Sequence, residues 1–475
     1  MADTTVPLIL DNQSITTPDT FDVISPNTGA AVHKCSAASV ADAARAAESA
    51  KAASASWAQT KPAVRREIMQ KAAEIYERRK EELIGYSQEE TGAARLFGEL
   101  NWMFGLNLLQ EFAGRAAMIE GTVPVLAQEG QSGIVIKEPY GVILSIAPWN
   151  APYILGLRAI VLPLVAGNTV IFKGSELSPK CHWAIADVFR EAGLPAGCLN
   201  VLFHKPADAA EVTTALIAHP AIRKINFTGS TLVGSKIAAT AGKYIKPILL
   251  ELGGKASTIV LDDADLKKAA AGCALGAFVH SGQICMSTER IVVQRSIADE
   301  FRTHLRAAAA NHLSPTEPAP LLVVPAAVTK NKNLIANATA KGASILAGDP
   351  SVEESSNTRL RPVVVDNVTP DMDIYGTESF GPTVSLLVVE TEEEAIRVAN
   401  DTEYGLSAAV YTENLARGLR VARQIESGAV HINSMTVHDE AALPHGGVKS
   451  SGFGRFGGSS GLDEFMVTKS VTWMD

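Results

Sequence analysis

The fold is decided by four short apolar runs in the middle of the chain, which read GVILSIAP (141–148), NTVIFK (168–173), CLNVLF (198–203) and IRKINFTGS (222–230). Helix-like stretches separate them, such as YILGLRAIVLPLVAG (153–167) and PKCHWAIADVFREAG (179–193). Short β-branched strands that alternate with helices predict βαβ units and a parallel sheet. A second series of this kind follows residue 251, with STIVLDD (257–263), RIVVQ (290–294), VSLLVVE (384–390) and GAVHIN (428–433). The sequence therefore predicts two consecutive α/β domains.

Two further segments have the alternating pattern of strands with two exposed faces. They read QSGIVIKEPY (131–140) and FMVTKSVTW (465–473), and lie far apart in the chain. Paired with each other, they would form an arm whose edge needs another subunit to cover it.

Composition excludes several classes of protein. The chain has 475 residues, 47% hydrophobic and 20% charged, with a net charge of −9. These values are typical of a globular protein and argue against a nucleic-acid binder, which would need a basic surface. The most apolar stretch, 142–167, contains Asn150, Arg158 and three prolines, so it predicts protein interior and not a lipid-spanning helix. The N-terminus lacks the pattern of a secretory signal, and we expect a cytoplasmic protein without membrane attachment.

The five cysteines have wide spacings and include no CxxC pair. This pattern gives no support to a metal site or to a disulfide framework, and it favours free thiols in a reducing compartment.

Cys285 stands out among them because it follows a predicted helix end in the run Gly282-Gln283-Ile284-Cys285-Met286. Any single cysteine is more often a buried core residue than a nucleophile. A connection after a helix, however, is a place from which a side chain can point into a cleft. The other four cysteines are expected to be structural.

Two polar residues end apolar strand-like runs. Glu251 opens the run ELGGK, where it is either the partner of Lys255 in a salt bridge or a general base in apolar surroundings. Asn150 ends the run APWN, where it is either a helix N-cap or a donor to a developing oxyanion.

A nucleotide site is indicated by the strand–turn–helix sequence INFTGSTLVG (225–234). Such a turn brings backbone N–H groups and a helix N-terminus towards a phosphate, although the GxGxxG fingerprint is absent. Lys173 and Glu176 follow another strand, where they either grip ribose hydroxyls or form a solvated turn.

Taken together in their order along nearly the whole chain, these motifs and ESFGP (378–382) resemble the aldehyde dehydrogenase superfamily. The runs APWNAP (147–152), QICMSTER (283–290) and TVHDEA (436–441) are similar to the branch that oxidises salicylaldehyde, vanillin and benzaldehyde. The resemblance implies a Rossmann-like NAD-binding domain (1–119 and 139–250), an α/β catalytic domain (251–434), and a small β oligomerisation arm with the C-terminal tail (120–138 and 435–475).

The resemblance also implies the roles of individual residues. The catalytic set is Cys285 as nucleophile, Glu251 as general base and Asn150 as oxyanion donor. The cofactor set is Ile146, Trp149, Lys173, Glu176, Gly229, Ser230, Glu378 and Phe380. The substrate set is Ala151, Arg158, Ile284, Met286 and His445. Trp102 is included as well from its own character, either as part of an apolar wall of the substrate site or as a residue of the core.

These roles predict oxidation of an aldehyde to a carboxylic acid through a thiohemiacetal and a thioester at Cys285. Because Glu176 would repel a 2′-phosphate, NAD is expected as the cofactor, with NADP possible. A homodimer or homotetramer is expected. The alternatives are an aliphatic or biosynthetic-intermediate aldehyde as substrate, or a catalytically silent scaffold.

Substrate preference depends on two polar residues. Arg158 either offers donors to a phenol or carboxylate, or forms a structural ion pair with Asp439 or Glu440. His445 stands where the related enzymes usually have Phe. We hypothesise that both favour an aromatic aldehyde that carries an acidic or hydroxyl group.

Overall fold

The computed structural model describes residues 5–312 and 318–474. The strands, in chain order, are β1 (Thr5–Val6), β2 (Leu8–Leu10), β3 (Gln13–Ile15), β4 (Thr20–Ile24), β5 (Ala31–Ser36), β6 (Gln131–Pro139), β7 (Val142–Ile146), β8 (Thr169–Lys173), β9 (Leu199–Leu202), β10 (Ile222–Thr228), β11 (Ile248–Glu251), β12 (Ala256–Val260), β13 (Thr288–Gln294), β14 (Ser344–Ala347), β15 (Val363–Asp366), β16 (Thr383–Val389), β17 (Ser407–Tyr411), β18 (Ala429–Ile432), β19 (Gly452–Phe453) and β20 (Met466–Met474).

The α-helices are α1 (Val40–Ala58), α2 (Pro62–Arg78), α3 (Lys80–Thr91), α4 (Arg95–Arg115), α5 (Pro152–Val165), α6 (Pro179–Glu191), α7 (Ala209–Ala218), α8 (Thr231–Lys243), α9 (Leu266–Phe278), α10 (Ala298–Ala310), α11 (Pro325–Ala340), α12 (Asp373–Gly376), α13 (Glu392–Asn400), α14 (Leu415–Ala422) and α15 (Gly458–Asp463). Short 3-10 turns cover Pro206–Asp208, Val279–Gly282, Arg295–Ile297 and Lys449–Ser451.

The first large sheet has the strand order β19-β11-β10-β7-β8-β9-β2-β3. Strands β11, β10, β7, β8 and β9 are parallel, as the alternation of strands and helices predicts. Their register aligns Lys173 with Ile146, Ile146 with Phe227, and Thr228 with Glu251. The carboxyl ends of four neighbouring strands therefore lie in one row, which is where α/β sheets bind ligands.

The second large sheet has the order β14-β15-β16-β13-β12-β17-β18 and is parallel except for β14. All of its strands, including the edge strand β14, lie between residues 256 and 432. The predicted α/β class with two successive parallel sheets is confirmed, while the domain boundaries stay a prediction.

Helix α5 explains the most apolar stretch of the sequence. Every residue from Pro152 to Val165 is buried, and the helix packs against α4 and α6. A helix that is apolar on all sides belongs in the interior. None of the helices within residues 5–312 and 318–474 has the length and apolarity needed to cross a bilayer.

The C-terminal part of the chain returns to two distant elements. Strand β20 pairs with β6 over its whole length, from Met466 opposite Pro139 to Met474 opposite Gln131, which confirms the predicted pairing. Strand β19 pairs with β11, so that Gly452 lies opposite Glu251. Ser451 completes this contact, because its carbonyl accepts from the Leu252 N–H (2.9 Å) and its hydroxyl donates to the Gly253 carbonyl (2.6 Å).

Candidate active site

The row of strand ends in the first sheet carries the predicted polar residues. Asn150 follows β7 and is 4% exposed, Ser230 follows β10, and Glu251 ends β11. The Ser230 hydroxyl caps α8 by accepting from the Val233 N–H (3.4 Å), which fixes the start of that helix. Asn150 is not an N-cap, since α5 begins without any side-chain cap.

The loop before Cys285 has an unusual backbone conformation. His280, Ser281 and Gly282 have positive φ angles of 51°, 57° and 70° in succession. A Cβ on Gly282 would lie 2.1 Å from the Gly381 carbonyl, so only glycine fits there. The His280 ring stacks on Phe97 with centroids 3.9 Å apart. Strained backbone of this kind persists where the surroundings hold it, and here it sets the position of the following thiol.

Asn150 and the Cys285 loop are joined directly. The Asn150 Nδ2 donates to the Gln283 carbonyl (2.9 Å), and the Gln283 side chain in turn accepts from the Val323 N–H (3.0 Å). An amide nitrogen carries two hydrogens, so Asn150 keeps a second donor. The contact holds that donor beside Cys285.

Two cavities meet at Cys285. The first, about 560 Å³, is called the apolar cavity and is lined by Phe97, Asn101, Phe104, Asn150, Ala151, Ile154, Leu155, Arg158, Ile284, Cys285, Met286, Val437, His438, Asp439 and His445. The second, about 740 Å³, is called the cleft and is lined by Pro148, Trp149, Asn150, Leu155, Thr228, Gly229, Ser230, Glu251, Leu252, Gly253, Cys285, Lys330, Glu378 and Phe380. Because Asn150, Leu155 and Cys285 line both, the thiol lies at their junction.

The carboxylate of Glu251 is fully buried, and neither of its oxygens has a hydrogen-bond partner in the described part of the chain. The sequence left open a salt bridge with Lys255, but that amine donates instead to Glu289 (2.7 Å). Burial raises the pKa of Cys285 well above its ordinary value, and the neighbouring Glu251 raises that pKa further. At neutral pH the resting group is therefore a thiol beside an unsatisfied acceptor.

Arg158 forms a buried ion pair. Its guanidinium is 3% exposed and donates to the Asp439 carboxylate, while Nη1 lies 4.0 Å from Oε2 of Glu251. Of the partners that the sequence left open, Asp439 is the one found, because Glu440 pairs with His438 (3.2 Å). His445 is buried with Nδ1 3.8 Å from Asp439, and burial lowers the pKa of this imidazole.

The loop that carries Glu378 and Phe380 closes the cleft. Glu378 accepts from the Gly254 N–H (2.8 Å), and burial raises the pKa of this carboxyl to about 7. Phe380 has a positive φ of 48° and meets the Trp149 ring edge-on at 6.1 Å. The loop is thus a second strained segment at the site.

Glu289, which the sequence did not indicate as functional, holds this loop. Its carboxylate accepts from the Ser379 N–H (2.9 Å), the Ser379 hydroxyl (2.8 Å) and the Phe380 N–H (3.1 Å), as well as from Lys255. A charged residue inside the apolar strand TERIVVQ (288–294) is the signal that could have identified it.

Three residues predicted to bind cofactor lie at the strand ends but line neither cavity. Ile146 and Lys173 are register partners at the ends of β7 and β8, and Glu176 is in the turn that follows β8. Both Ile146 and Lys173 are buried, and burial lowers the pKa of the Lys173 amine while Glu176 counteracts it.

Trp102 is the one predicted substrate residue that the structure places away from the apolar cavity. Its ring stacks on Tyr76 (6.1 Å, 2° between planes), and its Nε1 donates to the Tyr76 carbonyl (3.3 Å). Helical geometry explains the difference, because Phe97, Asn101 and Phe104 follow the i, i+4, i+7 stripe of α4 and Trp102 faces elsewhere. The helical spacing of this stripe is the feature of the sequence that indicates which face of α4 lines the cavity.

Comparisons with known proteins identify the family of this chain. The sequence model described as "Aldehyde dehydrogenase family" matches residues 13–471. A vanillin dehydrogenase of Pseudomonas fluorescens is 43% identical over 474 residues, covering 98% of this chain and 97% of the relative. A salicylaldehyde dehydrogenase from Pseudomonas putida G7, solved in complex with salicylaldehyde, has a TM-score of 0.96 at 39% identity, covering 99% of this chain and 98% of the other. An NAD-dependent aldehyde dehydrogenase from Sinorhizobium meliloti has a TM-score of 0.95 at 32% identity, covering 99% and 95%.

The chain belongs to the aldehyde dehydrogenase family. It is an NAD(P)-dependent aldehyde dehydrogenase with a Rossmann-like NAD-binding domain and a catalytic domain, so the fold and the enzyme class that the resemblance implied are both confirmed.

Proposed function

We propose that this enzyme oxidises aromatic aldehydes to carboxylic acids with NAD, using Cys285 as nucleophile, Asn150 as oxyanion donor and Glu251 as general base. The observation that carries the proposal is the position of Cys285, which lines both the apolar cavity and the cleft. An aldehyde in the first and a dinucleotide in the second would meet at the sulfur. The two relatives named for vanillin and salicylaldehyde support the aromatic class.

The apolar cavity suits a planar ring. Phe97 and Phe104 line it from one helix, and Ile284, Met286 and Val437 line it from the loops opposite. Ala151, at the entrance to α5, adds little bulk beside Cys285. Aromatic and aliphatic walls with few polar groups are typical of sites for small apolar ligands. The cavity therefore supports a benzaldehyde-sized substrate better than a long flexible one.

The cleft fits a dinucleotide. The N-terminus of α8, with Gly229 and Ser230 beside it, supplies backbone N–H groups suited to a pyrophosphate. Glu378 supplies a buried carboxylate for the ribose next to the nicotinamide, and we propose that Lys173 and Glu176 hold the adenosine ribose with Ile146 and Trp149 packing nearby. When bound, NAD supplies the acceptor for the hydride that leaves the substrate carbon.

The residues of the chain divide the remaining chemistry. The Cys285 sulfur adds to the aldehyde carbon, its proton passing to Glu251. The negative oxygen of the thiohemiacetal is held by Asn150 Nδ2 and the Cys285 N–H, each worth about 3 kcal/mol by analogy with other oxyanion holes. After oxidation to the thioester, Glu251 releases the first proton to solvent and takes a second one from water, which attacks the acyl carbon. The C–S bond then breaks, so that the carboxylic acid leaves and the Cys285 sulfur is restored.

Assembly and location are also proposed. The two-stranded β6–β20 arm has exposed Val471 (39%), Trp473 (45%) and Met474 (58%), and an isolated two-stranded ribbon is marginally stable in water. We therefore propose that a second copy covers it, in a homodimer or homotetramer. All five cysteines are free thiols, which supports a cytoplasmic location. We also propose the domain boundaries that the family resemblance implied, which are 1–119 with 139–250, 251–434, and 120–138 with 435–475.

The test is NADH formation with benzaldehyde and with an aliphatic aldehyde such as hexanal. We expect a higher kcat/KM for benzaldehyde, no signal from Cys285→Ser, and normal activity from Cys198→Ser. Cys198 is the matched control because it is a buried thiol away from both cavities. A preference for hexanal would favour the aliphatic alternative, and no signal with any aldehyde would favour a silent scaffold.

A further inference from the structure

The apolar cavity adjoins a third cavity on the side away from Cys285. This outer cavity, about 900 Å³, shares Phe104, Ile154, Arg158, Asp439 and His445 with the apolar cavity. The Arg158–Asp439 ion pair therefore lies where the two spaces meet. A ring substituent that points away from the reacting carbonyl would reach this pair first.

The charge at that junction is decided by Asp439. The charged groups around the apolar cavity are Arg158, Asp439 and, across the thiol, Glu251. The outer cavity is also lined by Glu111, which pairs with Arg115, and by Glu440, which pairs with His438. His445 is buried and uncharged at neutral pH, since burial lowers its pKa. Because Asp439 cancels the charge of Arg158, the far end of the cavity holds no net positive charge for an anionic substituent.

The pair is more than a packing contact between α5 and the loop at 435–445. Arg158 is 3% exposed, whereas the Asp439 side chain is 15% exposed and lines both cavities. Nη1 of Arg158 has no hydrogen-bond partner within residues 5–312 and 318–474 and lies 4.0 Å from Glu251. Without Asp439, this buried guanidinium would keep only Glu251, 4.0 Å away, as a charge partner, and it could form a direct hydrogen bond to an anionic substituent.

We propose that Asp439 is a specificity-determining residue, which neutralises Arg158 so that the site rejects aldehydes with an anionic ring substituent and accepts a hydroxyl as a donor to its carboxylate. The proposal rests on the proposed function. The hypothesis from the sequence was that Arg158 and His445 favour both acidic and hydroxyl substituents on the substrate ring. The proposal retains the preference for a hydroxyl substituent and excludes an acidic one.

The experiment compares kcat/KM for benzaldehyde, meta-hydroxybenzaldehyde and meta-carboxybenzaldehyde. In the unmodified enzyme we expect the hydroxylated substrate to equal or exceed benzaldehyde and the carboxylated one to be slower by about tenfold or more, the scale of one charge-assisted interaction. Asp439→Asn is expected to raise the carboxylated-to-unsubstituted ratio by about tenfold, because it frees Arg158 for the substrate. Arg158→Gln is expected to lower that ratio below its starting value.

Glu67→Gln is the matched control. It removes one negative charge from the protein surface, where Glu67 pairs with Lys71 and lines none of the three cavities, so the ratio is expected to stay the same. Thermal melting reports whether each variant is folded. Should Asp439→Asn fail to fold, Asp439→Ser is measured in its place, and the same rise in the ratio is expected because this variant also removes the charge that neutralises Arg158.

Two failures are distinguishable. If the unmodified enzyme oxidises no benzaldehyde, the proposed function fails. If benzaldehyde is oxidised but the carboxylated substrate is as fast, or the ratio is the same in Asp439→Asn and Arg158→Gln as in the parent, the role of Asp439 is overturned while the proposed function stands. A ratio that moves equally in Glu67→Gln would also overturn it, since general surface charge would then explain the selectivity.

Discussion

Replacing Glu289 by Gln tests whether a residue outside both cavities organises the cleft. Glu289 and Lys255 are 4% and 2% exposed, and their charged atoms are 2.7 Å apart. Removing one partner of a buried ion pair costs about 3–5 kcal/mol, because the other charge is left uncompensated. Gln also keeps only one acceptor oxygen for the Ser379 and Phe380 N–H groups. We therefore expect the free energy of unfolding to fall by about 3–5 kcal/mol.

The measurement is urea denaturation of Glu289→Gln beside Glu390→Gln. Glu390 pairs with Arg295 on the surface, with both side chains more than half exposed, so its loss should cost less than about 1 kcal/mol. Burial already lowers the pKa of Lys255 while Glu289 opposes this shift, so in the variant the amine sheds its proton more readily. The loss of unfolding free energy in Glu289→Gln, relative to the unmodified enzyme, should therefore become smaller as the pH rises.

A kinetic measurement completes the test. Because Glu289 holds the loop of Glu378 and Phe380, we expect KM for NAD to rise in Glu289→Gln while kcat at saturating NAD changes little. Equal stability losses in Glu289→Gln and Glu390→Gln would refute the reasoning, as would an unchanged KM for NAD.

Three further predictions concern the site itself. Alkylation of Cys285 by iodoacetamide should be slow at neutral pH and accelerate as the pH rises, because burial and the neighbouring Glu251 raise the pKa of this thiol, and a rate that does not depend on pH would contradict this. Protonation of Glu378 as the pH falls through about 7 should raise KM for NAD, and a pH profile of Glu378→Gln with the same step would show that another group is responsible. Asn150→Ala should lower kcat for benzaldehyde by about 100-fold to 1000-fold, and a loss confined to KM would contradict an oxyanion role.

The sequence was sufficient to predict the features that follow from regular alternation along the chain. The alternation of strands and helices predicted both parallel sheets, and the alternating segments 131–140 and 465–473 predicted the β6–β20 pair that the structure contains. Order and spacing of the motifs then predicted the family. Each of these predictions depends on local periodicity or on short motifs, which can be recognised without knowing which residues are close in space.

Contacts between distant segments were harder to predict. Arg158 and Asp439 are 281 residues apart, so the sequence could offer their pairing only as one of several alternatives. The sequence indicated no role for Glu289 beyond its place in a strand. Its partners Lys255, Ser379 and Phe380 come from distant parts of the chain, so the pattern around Glu289 does not predict these contacts. For Trp102 the sequence left open a place in the substrate wall or in the core, and its direction from α4 places it against Tyr76.

The pairing of β19 with β11 has a consequence for biosynthesis. The turn that carries Glu251 is clamped by Ser451 and Gly452, which leave the ribosome some two hundred residues after it. Domains generally fold as units during synthesis, beginning with the N-terminal one. A nascent chain can therefore assemble most of its first sheet early, yet the turn of Glu251, the proposed general base, is secured only after about 200 further residues have been made. Prematurely terminated chains that stop before this point would retain Cys285 and still be inert.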